Sequence, residues 1–119
     1  MNREGVAAWV AGYEQVWRTA GTDGLRRLFA EDASYRMHPA AEPVVGLDAI
    51  AQLWDEEREG PDETFDLTSE VVAVDGDTAV VRVSVRYALP REAFLDLWIL
   101  RFDPLGRCTA FEEWAMTAG

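Results

Sequence analysis

Two carboxylates near the end of the chain have the types and spacing needed for acid/base chemistry. Asp96 opens the apolar run DLWILRF, and Glu113 lies in the next run, RCTAFEEWAM. If these runs are neighbouring antiparallel strands with the carboxylates face to face, the two groups titrate as a unit and one pKa rises. One member is then an acid and the other a base. Two alternatives stay open: the strand ends splay into solvent, or an arginine neutralises one carboxylate.

The turn between these runs decides which residues face each other. Residues 103–106, DPLG, have the composition of a type I turn. A four-residue turn pairs Phe102 with Arg107, and this register sets Asp96 opposite Glu113. A bulge at the turn would shift the second strand and break the pairing.

The single histidine and the single cysteine are further candidates for chemistry. His38 ends the predicted strand ASYRMHP, which Pro39 stops. An imidazole titrates near neutral pH and can act as a base, although a surface or rim histidine is the alternative. The predicted register places Cys108 on the outer face of the sheet, where an inert interface thiol is favoured over a nucleophile.

Three helices and a sheet must position these residues. Apolar groups at helical spacing predict helices over 3–20, over a short segment after Thr22 or Asp23, and over 46–60. Alternating runs predict four later strands, over 65–74, 78–88, 93–102 and 107–116. Asp75-Gly76 is predicted as a two-residue hairpin turn between the first two of them. This order predicts one α+β domain over residues 1–119, with the helices on one face of an antiparallel meander.

Aromatic side chains are numerous for a chain of 119 residues. A strongly bent sheet under helices often encloses a cavity, and two inward carboxylates favour a lined pocket over a dry core. The predicted ligand-contacting residues are Trp17, Tyr35, Trp54, Phe65, Val83, Tyr87, Trp98 and Phe111. The alternative is that most of these side chains fill the core.

The outer face of the predicted sheet carries apolar residues that the helices cannot cover. Leu97, Ile99 and Trp114 fall on this face. A second copy of the sheet would cover them, so the pattern predicts a homodimer. A monomer with a partly exposed apolar face is the alternative.

Composition limits the partners and the compartment. The net charge of −11 argues against nucleic acid and anionic membrane surfaces. The N-terminus lacks the apolar segment of a signal peptide and no apolar run approaches 18 residues, so we expect a cytoplasmic protein without membrane contact. One cysteine and one histidine provide little for a metal, and we expect no metal and no cofactor.

Three segments carry a resemblance to a known superfamily: LRRLFAEDASYRMHP, VVGLDAIAQLW and DLWILRFDPLGRCTAFEEW. They resemble the nuclear transport factor two-like fold, and within it the SnoaL-like polyketide cyclases and ketosteroid isomerases. The resemblance covers nearly the whole chain. It implies a cone-shaped half-barrel, in which a strongly curved, mainly antiparallel sheet packs against three N-terminal helices, with a pocket between them. It also implies that dimers through the outer sheet face are common.

The resemblance also implies roles for individual residues. With FAEDA aligned, the oxyanion tyrosine of ketosteroid isomerases falls on Tyr13, and their general-base aspartate falls near His38-Pro39. Their protonated carboxylic acid falls on Trp98, which removes half of the oxyanion hole and argues against steroid isomerisation.

These observations lead to a functional expectation with open alternatives. We expect a pocket for a hydrophobic small molecule, in which Asp96, Glu113 and His38 move protons and Tyr13 donates a hydrogen bond. The reaction would be a cofactor-independent isomerisation, cyclisation or dehydration. The alternatives are a non-catalytic ligand binder and a protein-interaction dimer, because members of this superfamily include all of these.

Overall fold

The computed structural model describes residues 1–58, 64–88 and 91–118. Within these ranges the helices are α1 Arg3–Arg18, α2 Leu25–Leu28 and α3 Leu47–Glu57. The strands are β1 Phe29–Arg36, β2 Val44–Val45, β3 Phe65–Asp75, β4 Thr78–Tyr87, β5 Glu92–Phe102 and β6 Cys108–Thr117. None of the described helices has the length and hydropathy to cross a membrane.

The strands form one curved, open sheet in the order β2-β1-β6-β5-β4-β3. Neighbouring strands are antiparallel, apart from β1 and β6, which are parallel. The helices pack on one face, so the predicted α+β half-barrel is confirmed. The hairpin between β3 and β4 turns at residues 76–77, one residue later than predicted, with Gly76 at a φ of 60°.

Helix α1 presents a regular apolar stripe to the sheet. Its buried residues recur at helical spacing: Val6, Trp9, Val10, Tyr13 and Val16. The side chain of Asn2 caps the helix by accepting a hydrogen bond from the Gly5 N–H at 2.8 Å. The indole N–H of Trp9 donates to the carbonyl oxygen of Leu28 at 2.8 Å, which ties α1 to α2. The stripe therefore has a defined rotation, and this rotation directs Tyr13 toward the sheet.

The turn between β5 and β6 is one residue longer than predicted. Phe102 pairs with Cys108 rather than with Arg107. The Gly106 N–H donates to the Asp103 carbonyl at 3.0 Å, and Gly106 adopts a φ of 83°. The turn thus ends on a residue in the left-handed region, a conformation that glycine adopts without strain.

A bulge in β6 shifts the register a second time. Arg101 pairs with Ala110, which leaves Thr109 as an extra residue. Each one-residue shift exchanges the two faces of a strand, so the two shifts together restore the predicted faces beyond the bulge. Between the shifts, however, Cys108 points into the core and is fully buried, not on the outer face as predicted. Burial raises the pKa of its thiol to about 12, so Cys108 is an inert core residue.

Candidate functional site

A cavity of about 120 Å³ lies between α1 and the inner face of the sheet. Its lining is aromatic, aliphatic and acidic: Tyr13, Glu14, Trp17, Met37, Glu57, Phe65, Leu67, Val85, Tyr87, Asp96, Trp98 and Glu113. Among the described residues, no Lys, Arg or His lines it. The structure thus brings most of the predicted site residues together: Tyr13, Trp17, Phe65, Tyr87, Asp96, Trp98 and Glu113.

Four predicted ligand-contacting residues lie in the core instead of at the cavity. They are almost fully buried: Tyr35, Trp54, Val83 and Phe111. The ring of Phe111 lies nearly parallel to the ring of Tyr13, at a centroid distance of 5.5 Å, and to the ring of Tyr35, at 4.5 Å. All four side chains belong to the hydrophobic core cluster. They support the cavity wall and do not form its surface.

His38, predicted as a base at the end of a strand, lies outside the cavity lining and is exposed. Strand β1 ends at Arg36, and a turn follows. In this turn the His38 Nδ1 accepts a hydrogen bond from the Ala40 N–H at 3.1 Å, and the Ala41 N–H donates to the His38 carbonyl at 3.0 Å. The backbone therefore leaves the sheet before residue 38, which carries the imidazole away from the cavity.

Asp96 and Glu113 share the inner face of the sheet but are not directly opposed as predicted. Glu113 lies opposite Trp98, and Asp96 lies opposite Ala115. The two carboxyl-bearing residues are therefore diagonal neighbours on antiparallel strands. Such neighbours are about 7–8 Å apart at the backbone, and side chains as long as Glu can bridge that separation.

The hydrogen bonds around this carboxyl pair are incomplete. The indole N–H of Trp98 donates to Oε2 of Glu113 at 3.0 Å. Asp96 is only 6% exposed, and within the described part of the chain its Oδ1 is buried without a hydrogen-bond partner. A buried oxygen that accepts no hydrogen bond is unfavourable, so Oδ1 of Asp96 is an unused acceptor in this site.

Burial shifts the titration of both carboxyl groups. Desolvation raises the pKa of Glu113 to about 9, and the hydrogen bond to Asp96 and the Asp96 charge act in the same direction. Desolvation also raises the pKa of Asp96, while hydrogen bonds from Glu113 and Trp98 oppose that rise. Glu113 is therefore protonated at neutral pH, and the hydrogen bond between the two carboxyl groups links their titrations.

A second pair of polar groups connects the cavity to the core. The hydroxyl oxygens of Tyr13 and Tyr35 are 2.7 Å apart, and either one can donate. Burial raises the pKa of both phenols above the ordinary value, so both stay protonated. When Tyr35 donates to Tyr13, the hydroxyl hydrogen of Tyr13 is available to the cavity.

Five lining residues were not predicted from the sequence: Glu14, Met37, Glu57, Leu67 and Val85. Alternation along the strands identifies two of them, because Leu67 pairs with Val85 on the face shared by Phe65 and Tyr87. The two glutamates and Met37 carry no such signal. Their positions depend on how α1, α3 and β1 approach one another at the cavity mouth.

Arg58, also not predicted, holds the end of α3 against the end of α1. Its side chain is 7% exposed, and it donates to the carbonyl oxygens of Thr19 at 3.0 Å and Gly21 at 2.9 Å. Its guanidinium carbon lies 5.8 Å from the ring centroid of Trp17. Because Trp17 lines the cavity, Arg58 positions that wall without contacting the cavity itself.

Charges at the cavity mouth are partly compensated. Arg18 binds Glu14 at 2.8 Å, and its guanidinium carbon lies 3.9 Å from the ring centroid of Phe65. Glu57 stands exposed at the end of α3. In the described ranges, no group of three or more His, Cys, Asp or Glu side chains is arranged to hold a metal ion.

Solved structures share this fold at low sequence identity. A candidate SnoaL-like polyketide cyclase from Jannaschia sp. CCS1 is 16% identical, with a TM-score of 0.72 over 90% of this chain and 84% of that chain. A candidate ketosteroid isomerase from Kribbella flavida DSM 17836 is 20% identical, with a TM-score of 0.70 over 98% and 81% of the two chains. An NTF2-like protein of unknown function from Mesorhizobium loti is 24% identical, with a TM-score of 0.70 over 98% and 95%.

These likenesses show the fold alone, and no curated protein matches the chain. The family described as the SnoaL-like domain matches residues 6–111, which is most of the sequence. The predicted resemblance is therefore confirmed, and the chain belongs to the SnoaL-like domain family.

Proposed function

We propose that this protein binds a small molecule in the cavity and moves a proton within it, without a cofactor. The carrying observation is the unpartnered Oδ1 of Asp96 beside a Glu113 that holds a proton. A base needs an available lone pair inside the site, and a neighbouring acid keeps the pair at one negative charge. Isomerisation, cyclisation and dehydration all use such a proton transfer.

Asp96 takes a proton from a carbon next to an electron-withdrawing group of the bound molecule. The C–H bond breaks, an O–H bond forms on Asp96, and the electron pair moves toward the heteroatom of that group. The Tyr13 hydroxyl hydrogen bonds to the heteroatom as its electron density grows. Return of the proton to another carbon completes an isomerisation with no net oxidation, so no cofactor is required.

His38 has no role in this proposal, because it is exposed and lies outside the cavity lining. The aromatic and aliphatic walls accommodate an apolar part of the bound molecule. Phe65, Leu67 and Val85 form one such wall from β3 and β4.

Deuterium uptake tests the proton transfer without knowledge of the substrate. Cyclohexanone and N-methyl-4-piperidone are incubated with the protein in D₂O, and the loss of their α-proton signals is followed by NMR. We expect faster exchange with the parent than with Asp96→Asn, by a factor of about 10² or more for a general base. Equal rates for the two proteins with both ketones would refute the proposed catalysis and leave a ligand-binding cavity.

We also propose that two copies associate through the outer sheet face. Three large apolar side chains on β5 and β6 are exposed there: Leu95 at 47%, Trp114 at 45% and Met116 at 62%. Leu97 and Ile99 are only half-buried on the same face. A contiguous apolar patch of this kind is usually covered by a partner, and a second copy offers a self-complementary surface.

A further inference from the structure

The charges that line the cavity all have the same sign. Its carboxyl groups are Glu14, Glu57, Asp96 and Glu113, and no described Lys, Arg or His lines it. The nearby Arg18 is held by Glu14 at 2.8 Å and by the carbonyl oxygen of Phe65 at 2.9 Å. The carboxyl pair at the sheet therefore has no cationic partner among the described lining residues, so negative charge on the pair is uncompensated there.

The buried Oδ1 of Asp96 is an acceptor that no described residue uses. Asp96 is only 6% exposed and lines the cavity. Its Oδ1 has no hydrogen-bond partner in the described part of the chain. A carboxylate oxygen accepts hydrogen bonds and never donates them when ionised. A bound N–H⁺ group would satisfy both the unpaired oxygen and the uncompensated charge.

Aromatic rings line the same cavity as Asp96. The rings of Tyr13 and Trp98 are 4.7 Å apart between centroids and tilted by 55°. The ring of Trp17 lies nearly parallel to that of Tyr13, with a centroid distance of 6.3 Å and an interplanar angle of 7°. Ring faces carry negative electrostatic potential, and cages of aromatic rings with a carboxylate favour organic cations over neutral molecules of the same shape.

We propose that the cavity selects a small organic cation, with its positive nitrogen next to Oδ1 of Asp96 and against the rings of Tyr13 and Trp98. This inference rests on the proposed function, because it names the substrate class of the same cavity. It also explains how the proposed proton transfer can proceed in a cavity whose charged lining residues are all acidic. Removing a proton from a neutral carbonyl compound creates an anion in a cavity without cations, whereas a cationic substrate brings the compensating charge itself.

Three benzyl compounds of similar shape test the inference at neutral pH. The probes are benzylamine, which is protonated, benzyl alcohol, which is neutral, and benzoate, which is anionic. Their affinities are measured by calorimetry and by NMR shifts of the Trp98 indole N–H. We expect benzylamine to bind about tenfold or more tighter than benzyl alcohol, with benzoate weakest.

Two variants test whether the preference for benzylamine depends on the charge of Asp96. Asp96→Asn should reduce the ratio of benzylamine to benzyl alcohol affinity to about one, because the amide removes the charge and retains the shape. Glu42→Gln, an exposed carboxylate outside the cavity, removes one charge from the protein and should leave the ratio unchanged.

The inference is overturned if benzyl alcohol or benzoate binds as tightly as benzylamine, if none of the three binds, or if the preference survives in Asp96→Asn. These outcomes are separate from the test of catalysis. If cyclohexanone takes up deuterium but benzyl alcohol binds as tightly as benzylamine, the proton transfer stands and only the cationic substrate is rejected. If no deuterium is taken up but benzylamine binds most tightly, the catalysis is rejected and a cation-binding protein is left.

Discussion

Trp98 donates its indole N–H to Oε2 of Glu113 at 3.0 Å, and this hydrogen bond orients the Glu113 carboxyl group. An indole N–H can only donate, so Oε2 is an acceptor in every protonation state of Glu113. A proton on Oε1 leaves Oε2 free to accept from Trp98 and can be shared with Asp96. Trp98 therefore positions the carboxyl group of Glu113.

The first prediction concerns stability against pH. Glu113 has a pKa of about 9 in the folded chain and near 4.5 when unfolded, so the folded chain binds more protons between these values. Its contribution to the free energy of unfolding is complete below about pH 4.5 and is lost as the pH rises through about 9. The raised pKa of Asp96 contributes with the same sign.

Glu113→Gln tests this contribution, since the amide keeps one acceptor for Trp98 and one donor for Asp96 but cannot ionise. We expect a flatter stability profile, with the variant close to the parent at about pH 5 and more stable by more than about 1 kcal/mol at about pH 9. Urea unfolding at several pH values measures this difference. Parallel profiles for the two proteins would show that Glu113 titrates normally.

The second prediction separates the hydrogen bond of Trp98 from its bulk. The indole N–H lowers the pKa of Glu113, so Trp98→Phe should raise that pKa further and cost about 1 kcal/mol of stability. Carboxyl titration by NMR measures the shift. Trp98→Ala should instead cost about 3–5 kcal/mol and enlarge the cavity, which increases the binding of an apolar dye. An unchanged Glu113 pKa in Trp98→Phe would contradict the assigned hydrogen bond.

The third prediction uses the two tyrosines as matched variants. Tyr13→Phe and Tyr35→Phe each remove the same 2.7 Å hydrogen bond, so each should lose about 1 kcal/mol of stability. Only Tyr13 lines the cavity, so deuterium uptake should fall at least about tenfold in Tyr13→Phe and much less in Tyr35→Phe. Equal loss in both variants would mean that the hydroxyl of Tyr13 acts only through folding.

The fourth prediction concerns the outer sheet face. Sedimentation at micromolar concentration should give a mass of twice 13.3 kDa. Ile99→Glu should dissociate the dimer, because two unpaired charges would enter an apolar interface. Leu105→Glu is the control, since Leu105 is 78% exposed at a turn away from that face and should leave the mass unchanged. A parent that sediments as a monomer would reject the dimer.

Much of the architecture follows from local patterns in the sequence. The apolar spacing on α1, the alternation along β3 to β6 and the order of helices before strands predict the half-barrel that the structure shows. These patterns also place Asp96 and Glu113 on one inward face. That placement survives because the longer turn and the bulge at Thr109 each shift the register by one residue, and two such shifts preserve the face.

The tertiary structure alone decides the register and the cavity surface. Asp96 and Glu113 are diagonal because of one glycine turn and one bulge, and neither changes the alternation that a sequence reveals. Tyr35 and Phe111 are buried, and their rings contact Tyr13 or each other. Tyr13 lies on α1, which packs over β1 and β6 at this point. These two strands are distant in the sequence and are joined by a parallel pairing. The periodicity of apolar residues in the sequence indicates which face of a helix or strand a side chain occupies. Long-range packing decides which of the inward side chains form the cavity surface.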